Sequence, residues 1–166
     1  MKILAIDAST KSSGLALFED KQLITYDCIT ASSSDLIKRI KKIVIELDTF
    51  LQKYQVDTII LEEVRPDKNI QQSLKTHRAL MWLQAAINFL IHEKYPHITV
   101  SYTYPSEWRA ACEIKNGRGV MRASAKELDI QFVKDNYNIT VNDDIADAIG
   151  IGHAFVNQLE SEINWE

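Results

Sequence analysis

Short apolar runs separated by turn formers open the chain. ILAID at 3–7 is continuously apolar and ends in an acid, which predicts a central strand covered on both faces rather than a solvated edge. STKSSG breaks the pattern, GLALF resumes it, FEDKQL turns again and LITYDCI forms a third run. Three strands with short connections predict a meander. From Leu36 to Tyr54 apolar residues recur at helical spacing, the stripe of an amphipathic helix of about five turns. Ser33, Ser34 and Asp35 are its alternative N-caps.

The second half changes rhythm. DTIILEE is another buried-type strand ending in acids, followed by a polar stretch and a long helix from about Asn69 to Glu93. Its stripe through Leu74, Leu80, Leu83, Ile87, Leu90 and Ile91, with Trp82 and Phe89 beside it, is apolar enough that part of it is expected to face a second subunit. HITVSYTY is a fifth strand, PSEWRAAC a short helix with Pro105 at its start, and ASAKELDIQFVKDNY a further helix. The last helix begins at Asn142 or Asp143 and runs to about Leu159. A meander followed by alternating helices and strands predicts an α/β layered domain with a mixed five-strand sheet. The parallel strands ending in Asp7 and Glu62 should lie side by side, with both acids at strand carboxyl ends, where open α/β sheets place their sites.

Composition narrows the class. At 166 residues, 46% hydrophobic and 25% charged, with five Gly and three Pro, residues 1–166 read as one domain with its own core. The pattern excludes collagen-like, disordered and disulfide-stapled chains. Cys28 and Cys112 form no zinc-ligand spacing, and His77, His92, His97 and His153 are equally scattered. MKILAID does not read as a signal peptide, and no apolar run is long enough to span a bilayer. No membrane association and a cytoplasmic location with both thiols reduced are expected.

A net charge of −4 and a pI of about 5.6 hide strong segregation. Between Arg109 and Lys126 five basic residues (Arg109, Lys115, Arg118, Arg122 and Lys126) face Glu113 alone, while Glu127 to Glu166 holds nine acids against Lys134. Lys38, Arg39, Lys41 and Lys42 form a second basic group, and Arg65, Lys68, Lys75 and Arg78 a third. Such groups suit a polyanion, or are simply solvated helix faces.

Four acids stand out against this background. Asp7 and Glu62 end apolar strands, and Asp144 and Asp147 share one helix face. Each also has a plain reading: Asp143 or Asp144 as a helix cap, Asp7 as a turn starter, Glu62 and Glu63 as an exposed strand end. Asp147, among Ala and Ile, is the acid most in need of a partner. Two unit charges about 4 Å apart repel by about 4 kcal/mol at an effective dielectric near 20. A convergent set therefore calls for divalent cations, and oxygen-only ligands select Mg²⁺ or Mn²⁺ over zinc.

ILAIDASTKSSGLALF, LEEVRPDKNIQQSLKTHRAL and DDIADAIGIGHA, in this order and over nearly the whole chain, resemble the RuvC Holliday-junction resolvases of the RNase H-like nuclease superfamily, nearer a compact phage-type or low-GC-bacterial branch. The resemblance implies an RNase H-like fold with strand order 3-2-1-4-5. It also implies Asp7, Glu62, Asp144 and Asp147 as catalytic, metal-binding acids, Glu63 being the non-catalytic neighbour. Two Mg²⁺ per site, replaceable by Mn²⁺, a homodimer, and paired symmetric nicks in four-way DNA junctions follow; the identity of any branch-migration helicase partner stays open. The DNA-binding set is Arg65, Lys68, Lys75, Arg78, Arg109, Lys115, Arg118, Arg122 and Lys126. Arg109 stands roughly at a family lysine, and the second basic catalytic residue is Arg122 or Lys126. Arg65 occupies the place where many cellular members carry an aromatic wedge.

Two other readings share these features. An RNase H-fold nuclease of YqgF-like character would take RNA or other branched DNA. An actin-like nucleotide binder would use IDASTKSSGLALF as a phosphate loop, but needs a second domain and glycine-rich motifs that five Gly do not supply.

Overall fold

The computed structural model describes residues 1–64, 70–115 and 121–163. Its sheet has five strands, β1 (Lys2–Asp7), β2 (Ser12–Glu19), β3 (Gln22–Thr30), β4 (Thr58–Glu62) and β5 (Thr99–Thr103), in the order β3-β2-β1-β4-β5. The first three are antiparallel neighbours, and β4 and β5 run parallel to β1. This is the expected mixed sheet. The β2–β3 turn is made by Asp20 and Lys21, both at positive φ (46° and 70°), which a two-residue hairpin needs if its twist is to match the strands. A register shift between Leu17 and Phe18 interrupts the same hairpin.

Strand alternation assigns the two cores. Leu4, Ile6, Leu15, Leu17, Ile59 and Leu61 point to one face and meet helices α1 (Leu36–Lys53) and α2 (Ile70–Lys94). Ile3, Ala5, Ala16, Phe18 and Ile60 point to the other and meet α3 (Pro105–Ala111), α4 (Arg122–Tyr137) and α5 (Asp143–Ile163). The continuous apolar run of β1 thus follows from its having helices on both sides.

Helix ends follow local chemistry. Asp35 is the N-cap of α1, accepting from the Ile37 and Lys38 amides at 2.8 and 3.2 Å. Asn138 closes α4 in the left-handed conformation at φ 55°. Asn142 caps α5, its Oδ1 accepting from the Ile145 amide at 2.9 Å. That settles the two candidate starts and relieves Asp143 and Asp144 of capping. The helix runs one turn past the expected Leu159.

Candidate active site

Sheet register sets the first two acids. Ile6 pairs with Leu61 across the parallel β1–β4 ladder, so Asp7 and Glu62 leave adjacent strands at the same end. On its other side Asp7 pairs with Gly14 of β2. A Cβ at Gly14 would sit 1.9 Å from the Asp144 carbonyl oxygen, so only glycine lets the start of α5 lie on the sheet there. That contact carries Asp144, and one turn later Asp147, toward Asp7.

The carboxylates sense one another. Burial, then the charges of Glu62 and Asp144, push Asp7 up to about 8. Burial, the charge of Asp7 and the close approach of Asp129 push Asp147 up to about 9, with Arg109 acting in the opposite direction. Burial also raises Glu62, although the Trp108 hydrogen bond and Arg109 oppose it. These are the shifts expected of converging acids in a low-dielectric site.

The four acids do not close into a ready cage. Among the described residues, no three acidic, histidine or cysteine side chains stand close enough to hold an ion. Three of the carboxylates have a neutral or cationic neighbour. Trp108 Nε1 donates to Glu62 Oε2 at 2.8 Å, the Ser12 hydroxyl donates to Asp144 Oδ2 at 2.5 Å, and Arg109 Nη2 lies 3.8 Å from Asp147 Oδ2. Among the described residues, buried Asp147 Oδ1 has no hydrogen-bond partner. An all-oxygen donor set with one orphaned buried oxygen fits a hard divalent cation.

The basic residues divide. Arg109 turns inward: its guanidinium grips Asp129 through Nε at 3.1 and 3.2 Å and Nη2 at 2.8 Å, and lies over the Trp108 ring at 4.3 Å. It is a counter-charge to the acids more than a surface cation. Lys126 pairs with Asp143 at the rim, close enough to lower Asp7. Lys75, Arg78 and Lys115 are exposed, and Arg78 stacks on Trp82 at 5.6 Å. Arg65, Lys68, Arg118 and the side chain of Arg122 lie outside the described residues. Of the Lys38 to Lys42 group, Arg39 donates to the carbonyls of Thr10, Ser33 and Ser34 and is structural.

Sequence reasoning missed four supporting residues. Asp129 is 1% exposed. Its place in α4 one turn after Lys126 and one turn before Val133, a residue of the buried core, was the available signal. Gln84, buried on α2, donates to the Glu62 carbonyl at 2.7 Å. Ser12 lay inside a stretch read only as a turn. Trp108 is fully buried, and a Cβ at Gly150 of α5 would fall 2.6 Å from its ring. Tyr102, by contrast, is exposed at the sheet edge and bonded to Asn88.

Comparison with known proteins follows this geometry. The structure resembles Thermus thermophilus RuvC in complex with Holliday junction substrate (15% identity, 98% of this chain and 96% of that one, TM-score 0.73). It also resembles the yeast mitochondrial Holliday junction resolvase Ydc2 (17%, 98% and 80%, TM-score 0.64) and the fowlpox virus resolvase with its junction DNA (18%, 94% and 99%, TM-score 0.55). No curated protein matches the sequence. The sequence model for crossover junction endodeoxyribonuclease RuvC matches residues 3–154. With that match spanning nearly all of the described sheet and helices, the chain belongs to the RuvC family of crossover junction endodeoxyribonucleases.

Proposed function

We propose that this chain, as a single domain over residues 1–166, resolves four-way DNA junctions by paired symmetric nicks, with Asp7, Glu62, Asp144 and Asp147 as the catalytic acids. The observation that carries the reading is the coupling of acids from three separate elements around the unpartnered Asp147 Oδ1. Family membership and the junction DNA held by two of the similar proteins support the substrate class.

Mg²⁺, two per site and replaceable by Mn²⁺, would be held by these four carboxylates and would supply water activation and stabilisation of the leaving oxygen. The remaining work belongs to side chains of the chain itself. Trp108 and Ser12 orient Glu62 and Asp144, so that neither carboxylate must be ordered when the phosphodiester arrives. Lys126 at the rim is our choice for the cation that offsets charge developing on the phosphate. Lys75, Arg78 and Lys115 are exposed and suited to backbone phosphates, and Arg65, Lys68, Arg118 and Arg122 remain proposed partners of the same kind. A homodimer would bring two such sites to one junction, and the outward Leu74, Met81, Trp82 and Phe89 of α2 are the proposed contact.

The test is a synthetic immobile four-way junction incubated with Mg²⁺ or Ca²⁺, with nicks mapped on every strand and forks, linear duplex and RNA as competitors. Paired symmetric nicks with Mg²⁺, abolished in Asp7→Asn while junction binding persists, are expected. Preferential cutting of RNA or linear duplex would replace this reading with that of a broader nuclease.

A further inference from the structure

Arg109 and Asp129 are both withdrawn from solvent, yet neither belongs to the four acids. Asp129 takes three hydrogen bonds from one guanidinium, and that guanidinium also stands 3.8 Å from Asp147 Oδ2. A charge-assisted N–H···O bond is about 2.8 Å long. Arg109 is therefore within a small side-chain rotation of closing onto Asp147, the acid whose second oxygen is buried and open. Its two-point grip on Asp129 and the Trp108 ring beneath it hold it back.

Resting on the cation site proposed above, we propose that Asp129 is a positioning residue that holds the Arg109 guanidinium off Asp147, so that Asp147 stays open to a cation. A buried guanidinium deprived of its carboxylate must find another, and among the described residues Asp147, already 3.8 Å away, is the next acid that pairs with it. Removing Asp129 would thus turn Arg109 from a restrained neighbour into a competitor for the cation.

The experiment titrates Mn²⁺ alone, by calorimetry, into the full chain and its Asp129→Asn and Arg109→Met/Asp129→Asn variants, and determines the crystal structure of Asp129→Asn. Asp129→Asn should bind Mn²⁺ at least about tenfold more weakly, the scale of losing an outer-shell partner. Adding Arg109→Met should return affinity to within about threefold of the wild type, as coupled neighbours allow. In the crystal, Arg109 should lie within about 3 Å of Asp147. Unchanged affinity in Asp129→Asn, a loss that Arg109→Met does not relieve, or Arg109 still in its original place would each overturn the assignment. Should Asp129→Asn fail to fold, Arg109→Met alone decides: affinity equal to or tighter than wild type supports the restraint, and weaker affinity overturns it. A wild-type chain that shows this Mn²⁺ pattern but cuts no junction would sink the nuclease reading and leave this one standing, whereas a chain that binds no Mn²⁺ sinks both.

Discussion

Asp7 and Asp147 hold their protons far more tightly in the folded chain than an unfolded carboxylate does, near 8 and 9 against 3.8. The sign follows from linkage. Stability from this source is full below about pH 4 and is lost as pH rises through 8 and 9, by at most about 1.4 kcal/mol per group and pH unit. In chelator the melting temperature should therefore fall between pH 5 and 9. Mg²⁺ or Mn²⁺ should restore it more at pH 8 than at pH 6, and Asp7→Asn should flatten the fall. A melting temperature in chelator that rises over this range would contradict the placement of these acids. Asp7 and Glu62 stood out in the sequence because they end apolar strands, and Asp147 because it lies among Ala and Ile, but each also had a plain reading, and it was the resemblance that grouped the four acids. The pairing of Arg109 with Asp129 was not legible, since a charge in a linear string does not disclose which opposite charge folds over it, and these two stand 20 positions apart on different helices.

Periodicity located the described strands and helices, because each element has one apolar face or two; the meander and the paired acid-ending strands gave a mixed sheet, and the resemblance implied the full order, which the structure has. What it left undetermined was local: the choice between Asn142 and Asp143, decided by a side-chain cap, and the irregularity at Leu17/Phe18, which no side-chain pattern encodes. Nor did the sequence reading single out Gly14, although the seating of α5 depends on it. Gly14→Ala would place a methyl against the Asp144 backbone, where no flexible side chain can give way. A loss of about 3 kcal/mol or more is expected, together with weakened Mn²⁺ binding as α5 lifts Asp144 and Asp147 away from Asp7. Denaturant unfolding and Mn²⁺ titration of the variant measure both, and a variant as stable and as well liganded as wild type would show that the helix seats itself by other contacts.

At the scale of the molecule, exposed apolar and basic side chains share the outer face of α2, with Arg78 over the Trp82 ring. No described helix is long and apolar enough to cross a membrane, yet α2 leaves Phe89 69% and Leu74 59% exposed, with Met81 and Trp82 beside them. The paired nicking proposed above would need two sites, and a stable interface needs about 800 Å² from each partner. Trp82→Glu/Phe89→Glu should therefore sediment as a monomer and produce unpaired single nicks at a rate reduced by about tenfold or more; a dimer that persists would move the contact elsewhere. The acids themselves are drawn from distant parts of the chain, as the Ser12 to Asp144 hydrogen bond across 132 positions illustrates. A centre built from contacts of such long range closes at the full loop-closure cost of the chain between them. A chain lacking α5 therefore keeps Asp7 and Glu62 on the sheet but loses Asp144 and Asp147 together.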